Sequence, residues 1–380
     1  MSAIDLTKKL VNFNTVSRDS NLPLIDYVAT YLDDFGIKSH RVESPDGKKS
    51  NLYASIGPEE PGGVVLSGHT DVVPTDGQDW HTDPFMPEIK DGNLLGRGTC
   101  DMKGFIGTAL SLVPEMNSLE KPIHFALSYD EEIGCKGAPS MIAEIVDKLP
   151  PPQAVIVGEP TGMKAITGHK GMVTLKTAVQ GHEAHSSQIH RGVSAVMTAA
   201  TLVTKLNAMT QELAAATDTA TGFEPHHSTI HVGIIRGGTA INIISRRCEF
   251  QWDIRCIPAD DPKIILDEFE KFCRDEILPN MKSIDPQCSI DTQITASAPS
   301  FLMADSPALS LLTALGVQPA KSHAPYVAEA GQFQSSGLPT VICGPGFIDQ
   351  AHKPNEFIAL DQLNQGEQLL RSVIQRLTRS

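Results

Sequence analysis

Short apolar segments alternate with helical patterns along the first part of the chain. Residues 64–74 begin as a β-branched apolar run, and residues 123–128 and 154–157 are further short strand candidates. Runs of this length and composition are typical of buried strands. A helical stripe at residues 21–36 and an apolar segment at residues 105–113 separate the strand candidates. The order predicts an α/β domain with a mostly parallel sheet, which presents functional groups at the carboxyl ends of its strands.

The hydrophobic pattern changes after residue 170. Residues 172–179 alternate apolar and polar side chains, as expected for a strand with one wet face. The segments that follow are predicted to be a helix at 193–213, strands at 229–235 and 248–256, a helix at 262–277 and a strand at 289–295. This order is that of a ferredoxin-like α+β domain. We therefore predict an outer domain of residues 1–170 and 296–380, closed by a helix at 360–377, and an inserted domain of residues 171–295.

Length, charge and cysteine usage narrow the class of protein. A chain of 380 residues is long for one core and suits two domains. Its net charge of -14 argues against a nucleic acid or an anionic membrane as partner. The first residues lack the apolar core of a signal peptide, and no apolar run is long enough to span a bilayer. Seven scattered cysteines are poor material for a disulfide framework, so we expect a cytoplasmic protein.

Seven ionisable residues stand at strand ends and in loops of the outer domain: His69, Asp71, Asp101, Glu131, Glu132, Glu159 and His352. Each has an ordinary structural explanation on its own, such as a helix cap, a turn residue or a solvated loop charge. Together, five carboxylates that converge without a cation would repel each other and stay partly protonated. Two histidines with three carboxylates form a ligand set for zinc, cobalt or manganese. Two ions that share a carboxylate would lie about 3.5–4 Å apart, a spacing that activates water and polarises a carbonyl.

Four segments carry a resemblance to a known family. They are 67–74 (Ser-Gly-His-Thr-Asp-Val-Val-Pro), 96–104 (Gly-Arg-Gly-Thr-Cys-Asp-Met-Lys-Gly), 130–132 (Asp-Glu-Glu) and 158–161 (Gly-Glu-Pro-Thr). In type, order and spacing they resemble the dinuclear zinc amidohydrolases, a family that holds acetylornithine deacetylases, succinyl-diaminopimelate desuccinylases, aminoacylases and related carboxypeptidases. The resemblance covers essentially the whole chain. It implies a zinc-peptidase-like catalytic domain with an inserted dimerisation (lid) domain, and a pair of divalent metal ions.

The same resemblance implies a role for each residue of the outer set. His69 and Glu159 are expected to bind one metal ion, and Glu132 and His352 the other. Asp101 is expected to bridge the two ions, and Asp71 to orient the imidazole of its neighbour His69. Glu131 is expected to be the general base, which takes a proton from the attacking water and returns it to the leaving amine.

The inserted domain has a matching block at residues 181–186 (Gly-His-Glu-Ala-His-Ser). Its second histidine, His185, resembles the residue that helps to hold the developing oxyanion, in several members from the neighbouring subunit, so we expect a homodimer. Asn242 and Arg255 resemble positions that bind the substrate carboxylate, for which arginine is suited by its bidentate geometry. A surface charge at a strand end remains an alternative for Arg255.

Within the family, residues 343–357 and 327–330 resemble acetylornithine deacetylases. This implies hydrolysis of the amide bond of N2-acetyl-L-ornithine to ornithine and acetate, in arginine biosynthesis. Alternatives are a succinyl-diaminopimelate desuccinylase or other N-acyl-amino acid deacylase, a peptidase, and an inactive homologue that serves as a binding protein. Ala328 stands where the resemblance calls for threonine or serine, which removes a hydroxyl that could contact substrate. Glu329 could meet the cationic amine of ornithine or cap a helix.

Overall fold

The computed structural model describes residues 1–303 and 305–378. The chain divides into two compact units. Unit 1 holds Met1–Gly168, Phe301–His323 and Ala328–Ser380, and unit 2 holds His169–Ser300 and Ala324–Val327. The predicted domain boundaries at 170/171 and 295/296 stay a prediction, and Ala304, Arg379 and Ser380 of the predicted outer domain lie outside the described residues.

The strands run in chain order as β1 (Ser39–Glu43), β2 (Ser50–Ile56), β3 (Val64–His69), β4 (Glu88–Lys90), β5 (Asn93–Leu95), β6 (Ile123–Ser128), β7 (Ala154–Val157), β8 (Gly168–His169), β9 (Gly171–Gln180), β10 (Thr229–Gly237), β11 (Arg247–Cys256), β12 (Ser289–Ala298), β13 (Phe301–Leu302), β14 (Thr340–Ile342) and β15 (Phe357–Ala359). The helices are α1 (Ala3–Val11), α2 (Leu22–Asp33), α3 (Lys103–Ser111), α4 (Ala138–Lys148), α5 (Ala195–Ala216), α6 (Pro262–Phe272), α7 (Leu278–Ile284), α8 (Pro307–Ala314), α9 (Ala330–Ser335) and α10 (Leu360–Thr378).

Unit 1 is built on a six-stranded sheet of order β1-β2-β6-β3-β7-β14. The strands β6, β3, β7 and β14 are parallel, whereas β2 runs antiparallel to β6 and β1 antiparallel to β2. Every residue of β3, β6 and β7 is buried, which explains why these segments are rich in apolar residues rather than alternating. The predicted mostly parallel α/β fold is therefore confirmed.

Helices cover both faces of this sheet. Leu66 of β3 belongs to a core formed with α1, α2, α3, α8 and α10, while its neighbour Val65 belongs to a second core with α4 and α9. Adjacent residues of a strand point to opposite faces, so one buried strand supplies both cores. The sheet is thereby fixed from both sides, and the carboxyl ends of β6, β3 and β7 lie side by side.

Unit 2 contains a four-stranded antiparallel sheet of order β10-β11-β9-β12. The strands and helices follow the ferredoxin-like order, which confirms the predicted fold of the inserted segment. One face of the sheet packs on α5, α6 and α7 around Phe250, Trp252 and Phe269. The inward side chains of β11 alternate with more exposed ones on the opposite face, as the sequence pattern predicts.

Two local features of the structure are not evident from the sequence pattern. The polar stretch that precedes residue 96 contains β4 and β5, which pair with each other, and β5 also pairs with β15, so the three strands form a small antiparallel sheet. The helix expected at 262–277 is α6 followed by a π-helical turn, Cys273–Ile277. Within residues 1–303 and 305–378, no helix is long and apolar enough to cross a membrane.

Candidate metal centre

His69 ends the buried strand β3, and both of its ring nitrogens have an oxygen neighbour. Nδ1 lies 2.9 Å from the backbone carbonyl oxygen of Asp71. A carbonyl can only accept, so Nδ1 carries the hydrogen of this bond. Nε2 therefore faces the carboxylate of Asp101, whose Oδ1 is 2.9 Å away. A hydrogen bond at one ring nitrogen that directs the other is the usual arrangement of a metal-binding histidine.

Asp101 stands between the two histidines of the predicted set. It precedes α3, and its Oδ1 faces His69 while its Oδ2 lies 3.2 Å from Nε2 of His352. One carboxylate thus has an imidazole on each of its oxygens. This is the arrangement needed for a carboxylate that bridges two cations.

Two glutamates complete the two sides of Asp101. Oε1 of Glu159, which follows β7, lies 3.9 Å from Nε2 of His69. Oε2 of Glu132, which follows β6, lies 3.0 Å from Nε2 of His352. The pairs formed by proximity are therefore His69 with Glu159 and His352 with Glu132, on opposite oxygens of Asp101.

The electrostatics of this cluster fit a cation. Burial and the nearby Asp101 carboxylate raise the pKa of Glu159 to about 8 and that of Glu132 to about 7. Oε1 of Glu132 is buried and has no hydrogen-bond partner among the described residues. One ligand atom each from His69, Asp101 and Glu132 lies within 4.8 Å of the others. Buried carboxylates with an unpaired oxygen and facing imidazole nitrogens suit divalent ions, so the residues present fit a metal pair.

Asp71 lies beside His69, but its carboxylate has other partners. Its nearest oxygen is 3.7 Å from Nδ1 of His69, and the backbone carbonyl makes the hydrogen bond instead. The carboxylate accepts the backbone N–H of Glu131 at 3.1 Å, the backbone N–H of Glu132 at 3.3 Å and the hydroxyl of Ser17 at 2.6 Å. The side chain of Asp71 therefore fixes the Glu131–Glu132 dipeptide.

Glu131 lies in the cluster but forms no ion pair with His69 or His352. Its side chain is buried, and Oε1 accepts the thiol hydrogen of Cys135 at 3.4 Å. Burial, opposed by His69 and reinforced by neighbouring carboxylates, raises the pKa of Glu131 well above its usual value. A buried carboxyl group whose pKa is shifted by neighbouring charges is a candidate for proton transfer.

The remaining predicted residues have contacts within their own units. In unit 2, His185 is exposed, with Nδ1 2.8 Å from Oγ of Ser187. The carbonyl oxygen of the exposed Asn242 accepts the N–H of Ser186 at 3.0 Å, so His185 and Asn242 lie on adjacent segments. Arg255, on β11, donates from Nε to Asp253 at 2.9 Å.

Glu329 and Ala328 lie in the interior of unit 1. Glu329 is 1% exposed and precedes α9, yet its side chain makes no capping hydrogen bond. Its Oε2 accepts from Ser67 on β3 at 3.4 Å, and burial raises its pKa to about 7. Ala328 is fully buried in the core of α4 and α9.

Sequence reasoning missed the residues that support these side chains. Arg97, Glu356 and Gln78 connect the loop of Asp101 with the loop of His352, and Ser17 supports Asp71. Arg97 and Glu356 stand inside the blocks that carry the resemblance, so charged residues beside glycine and proline were the available signal. Arg97 and Glu356 pair with each other across 259 positions of the chain, so no local pattern reveals their contact.

Comparison with known proteins identifies the family of this chain. Residues 65–376 match the model of peptidase family M20/M25/M40. The chain is 31% identical over 358 residues to an acetylornithine deacetylase of Pasteurella multocida, covering 93% of this chain and 91% of that protein. An acetylornithine deacetylase of Myxococcus xanthus is 31% identical over 378 residues, covering 96% of this chain and 95% of that protein.

Solved structures share the fold. An M20 metallo-carboxypeptidase of Sulfolobus solfataricus superposes with a TM-score of 0.76 at 18% identity, covering 100% of this chain and 99% of that one. A Bacillus subtilis protein described as a dinuclear metal-binding peptidase of the M20 family gives a TM-score of 0.68 at 15% identity, covering 99% and 97%. The family match extends over most of the chain and includes His69, Asp101, Glu132, Glu159 and His352. This protein is a metal-dependent hydrolase that belongs to peptidase family M20/M25/M40.

Proposed function

We propose that this protein removes the acetyl group from N2-acetyl-L-ornithine, giving ornithine and acetate, as a step of arginine biosynthesis. Similarity to acetylornithine deacetylases over more than nine-tenths of both chains is the observation that carries the choice of substrate. The presence of Glu131, and of Asp101 with the four other candidate ligands around it, supports an active enzyme rather than an inactive relative.

The two sides of Asp101 suggest how two ions would be held. His69 and Glu159 would hold one, His352 and Glu132 the other, and Asp101 would bridge them. Zinc is the expected metal, with cobalt and manganese as alternatives, because this mixed ligand set accepts all three. When bound, such a pair lowers the pKa of water toward neutrality and polarises the scissile carbonyl.

The protein's own residues account for the proton transfers. Glu131 accepts a proton as the water oxygen bonds to the acetyl carbon. It then returns that proton to the amide nitrogen as the carbon–nitrogen bond breaks. The amine leaves neutral, and the new oxygen stays in acetic acid, which then loses its remaining proton to solvent and becomes acetate. Asp71 contributes by holding the backbone N–H groups of Glu131 and Glu132, which fixes the base relative to the ligand beside it.

We assign substrate contacts to Asn242, Arg255 and Glu329. Arg255 is half-buried with Asp253 as partner, so its guanidinium retains donors for a substrate carboxylate. Glu329 offers a buried carboxylate whose Oε1 has no partner among residues 1–303 and 305–378, which suits the ammonium group of ornithine. Its missing side-chain cap favours this role over capping of α9.

Residues 171–295 are proposed to be a dimerisation and lid domain within a homodimer. The edge strand β10 exposes Ile234 and Ile235, and the start of α5 exposes Met197. Exposed strand edges are normally paired or protected, and a two-fold pairing of identical edges is the simplest protection. His185 of this domain would then supply an oxyanion contact to the partner's site.

Mixed dimers test the oxyanion role. His185→Ala and Glu131→Ala subunits would be co-expressed with different tags and the hybrids isolated. If His185 acts across the dimer, hybrids carry both defects in one site and leave the other intact, so part of the activity returns. Isolated hybrids without any recovery would exclude this role in trans.

Turnover of a panel of N-acyl amino acids tests the substrate. N2-acetyl-L-ornithine, succinyl-diaminopimelate and neutral N-acetyl amino acids would be compared by kcat/KM, with metal content measured on the same samples. We expect acetylornithine to be preferred. A higher kcat/KM for the succinyl or neutral substrates would refute the assignment.

A cytoplasmic location is proposed because all seven cysteines are free and buried.

A further inference from the structure

A buried ion pair lies beside the candidate metal centre. Nη1 of Arg97 is 2.7 Å from Oε2 of Glu356, and both side chains are 1% exposed. Burying two charges costs free energy that their mutual attraction often only balances, and an apolar pair of similar size is frequently as stable. Stability alone therefore does not explain this pair.

The second oxygen of Glu356 holds the backbone of the Asp101 loop. Oε1 accepts hydrogen bonds from the N–H groups of Gly98 at 3.0 Å, Cys100 at 2.9 Å and Asp101 at 3.1 Å. Hydrogen bonds to a charged acceptor are stronger than neutral ones. Three of them on one oxygen fix the path of the chain into Asp101, the carboxylate between the two histidines.

The guanidinium of Arg97 holds the loop on the other side. Nη1 donates to the carbonyl oxygen of Lys353 at 3.3 Å and Nη2 to Oε1 of Gln78 at 2.6 Å. Gln78 in turn donates to the carbonyl oxygen of His352 at 3.0 Å. The ring of Trp80 lies 5.2 Å from the guanidinium carbon, and its Nε1 donates to Gln78 at 3.0 Å.

His352 needs such support more than the other candidate ligands. Its side chain is 53% exposed, whereas those of His69 and Asp101 are nearly buried. It lies on a loop with a left-handed backbone, φ 62°, which a non-glycine residue keeps only when its surroundings impose it. The pairing of β5 with β15 brings this loop beside residue 96. The tip of the loop lies outside that pairing, so side-chain contacts must hold it in place.

We propose that Glu356, Arg97 and Gln78 form a clamp that positions Asp101 and His352 relative to each other, so that the site formed by His352, Glu132 and Asp101 is built before a metal ion binds. The proposal rests on the metal-binding roles given under the proposed function. Residues of the clamp are positioning residues, since they act through the ligands.

Metal titration of the variants tests the clamp. Glu356→Gln keeps the size of the side chain but removes its charge. Gln78→Ala keeps the ion pair of Arg97 and Glu356 and removes the side chain that links Arg97 and Trp80 to the carbonyl oxygen of His352. Loss of a residue that hydrogen-bonds to a metal ligand typically weakens metal binding by about 10- to 100-fold. We expect both variants to bind the second equivalent of zinc about 10- to 100-fold more weakly by calorimetry, with a smaller change for the first. Excess zinc should restore kcat without restoring thermal stability.

Glu115→Gln is the matched control. Glu115 pairs with Arg371 at 2.9 Å on the surface of the same unit, with 44% and 36% of the side chains exposed. This variant should bind both equivalents as the unchanged protein does. Circular dichroism and thermal unfolding would establish that each variant is folded, and Gln78→Ala decides the question if Glu356→Gln does not fold.

The outcomes separate this proposal from the one on which it rests. If the unchanged protein takes up fewer than two ions, the dinuclear assignment fails and the clamp fails with it. If the unchanged protein binds two ions and the folded variants bind both with equal affinity, the clamp is refuted while the assignment stands. A loss of thermal stability without a loss of affinity would likewise mean that the ion pair serves only the fold.

Discussion

Replacement of Glu131 by glutamine should remove the proton transfer and leave the metal centre in place. Glutamine has the size of glutamate, and its amide oxygen can still accept from the Cys135 thiol, which lies 3.4 Å from Oε1. The hydrogen bond from the Glu131 backbone N–H to Asp71 does not involve the altered group. The fold and the position of Glu132 should therefore be kept.

The expected loss is that of a general base. An amide cannot take the proton of the attacking water, and general acid–base catalysis contributes about 10²–10⁴-fold. At ~1.36 kcal/mol for each factor of ten, the activation barrier should rise by about 2.7–5.4 kcal/mol. The loss should appear in kcat, with KM nearly unchanged, because Glu131 is assigned no part in binding the substrate.

Glu132→Gln is the matched comparison, since it alters the adjacent residue by the same chemistry. Glu132 faces His352 at 3.0 Å, so its replacement should weaken metal binding before it affects the proton transfer. Steady-state kinetics and metal content at saturating zinc would be measured for both variants. If Glu131→Gln loses metal while Glu132→Gln keeps metal and loses rate, the two roles have been exchanged. A Glu131→Gln variant with near-normal kcat would refute a base at this position.

Three further predictions concern metal, pH and packing. Exhaustive chelation should abolish hydrolysis, and zinc, cobalt or manganese should restore it; activity in protein shown to be free of metal would contradict this. In the metal-free protein the pKa of Glu132 is raised to about 7 and that of Glu159 to about 8. Binding must displace their protons, so metal affinity should fall as pH drops from 8 to 6, with proton release measurable by calorimetry in different buffers; a pH-independent affinity would refute it. A Cβ at Gly158 would lie 2.1 Å from the ring of Phe105, so Gly158→Ala should lower the free energy of unfolding, measured in urea, by about 1–3 kcal/mol. Gly233→Ala is the control, because no atom lies nearer than 3.8 Å to its Cβ position, and it should not lower that free energy. Equal stabilities of the two variants would contradict the packing at Gly158.

Hydrophobic pattern was enough to predict the two folds of the chain. The buried runs of β3, β6 and β7 and the alternation in β9 and β11 specify secondary structure locally, and their order determines the arrangement of the sheets. His69, Glu132 and Glu159 could be placed together for the same reason. Each follows a parallel strand, and the carboxyl ends of neighbouring parallel strands meet at one edge.

Contacts of individual side chains could not be predicted in this way. Asp71 stands two positions from His69 in the sequence, which favours a contact between its carboxylate and the imidazole. In the folded chain that carboxylate instead accepts the N–H groups of Glu131 and Glu132 and the hydroxyl of Ser17. Spacing along a strand gives the side of a residue, whereas the donors it meets come from segments 54 to 61 positions away.

The support of His352 shows the same division most clearly. The sequence alone marks His352 as a candidate ligand and places Arg97 and Glu356 in blocks of charged residues with glycine or proline. Only the tertiary structure pairs β5 with β15, buries the two charges against each other and turns Oε1 of Glu356 toward the amides before Asp101. Local pattern determines which segments are strands and which residues end them, because these depend on neighbours within a few positions. The geometry of the metal centre depends on contacts across more than 250 residues, and these form only when the whole of unit 1 has packed.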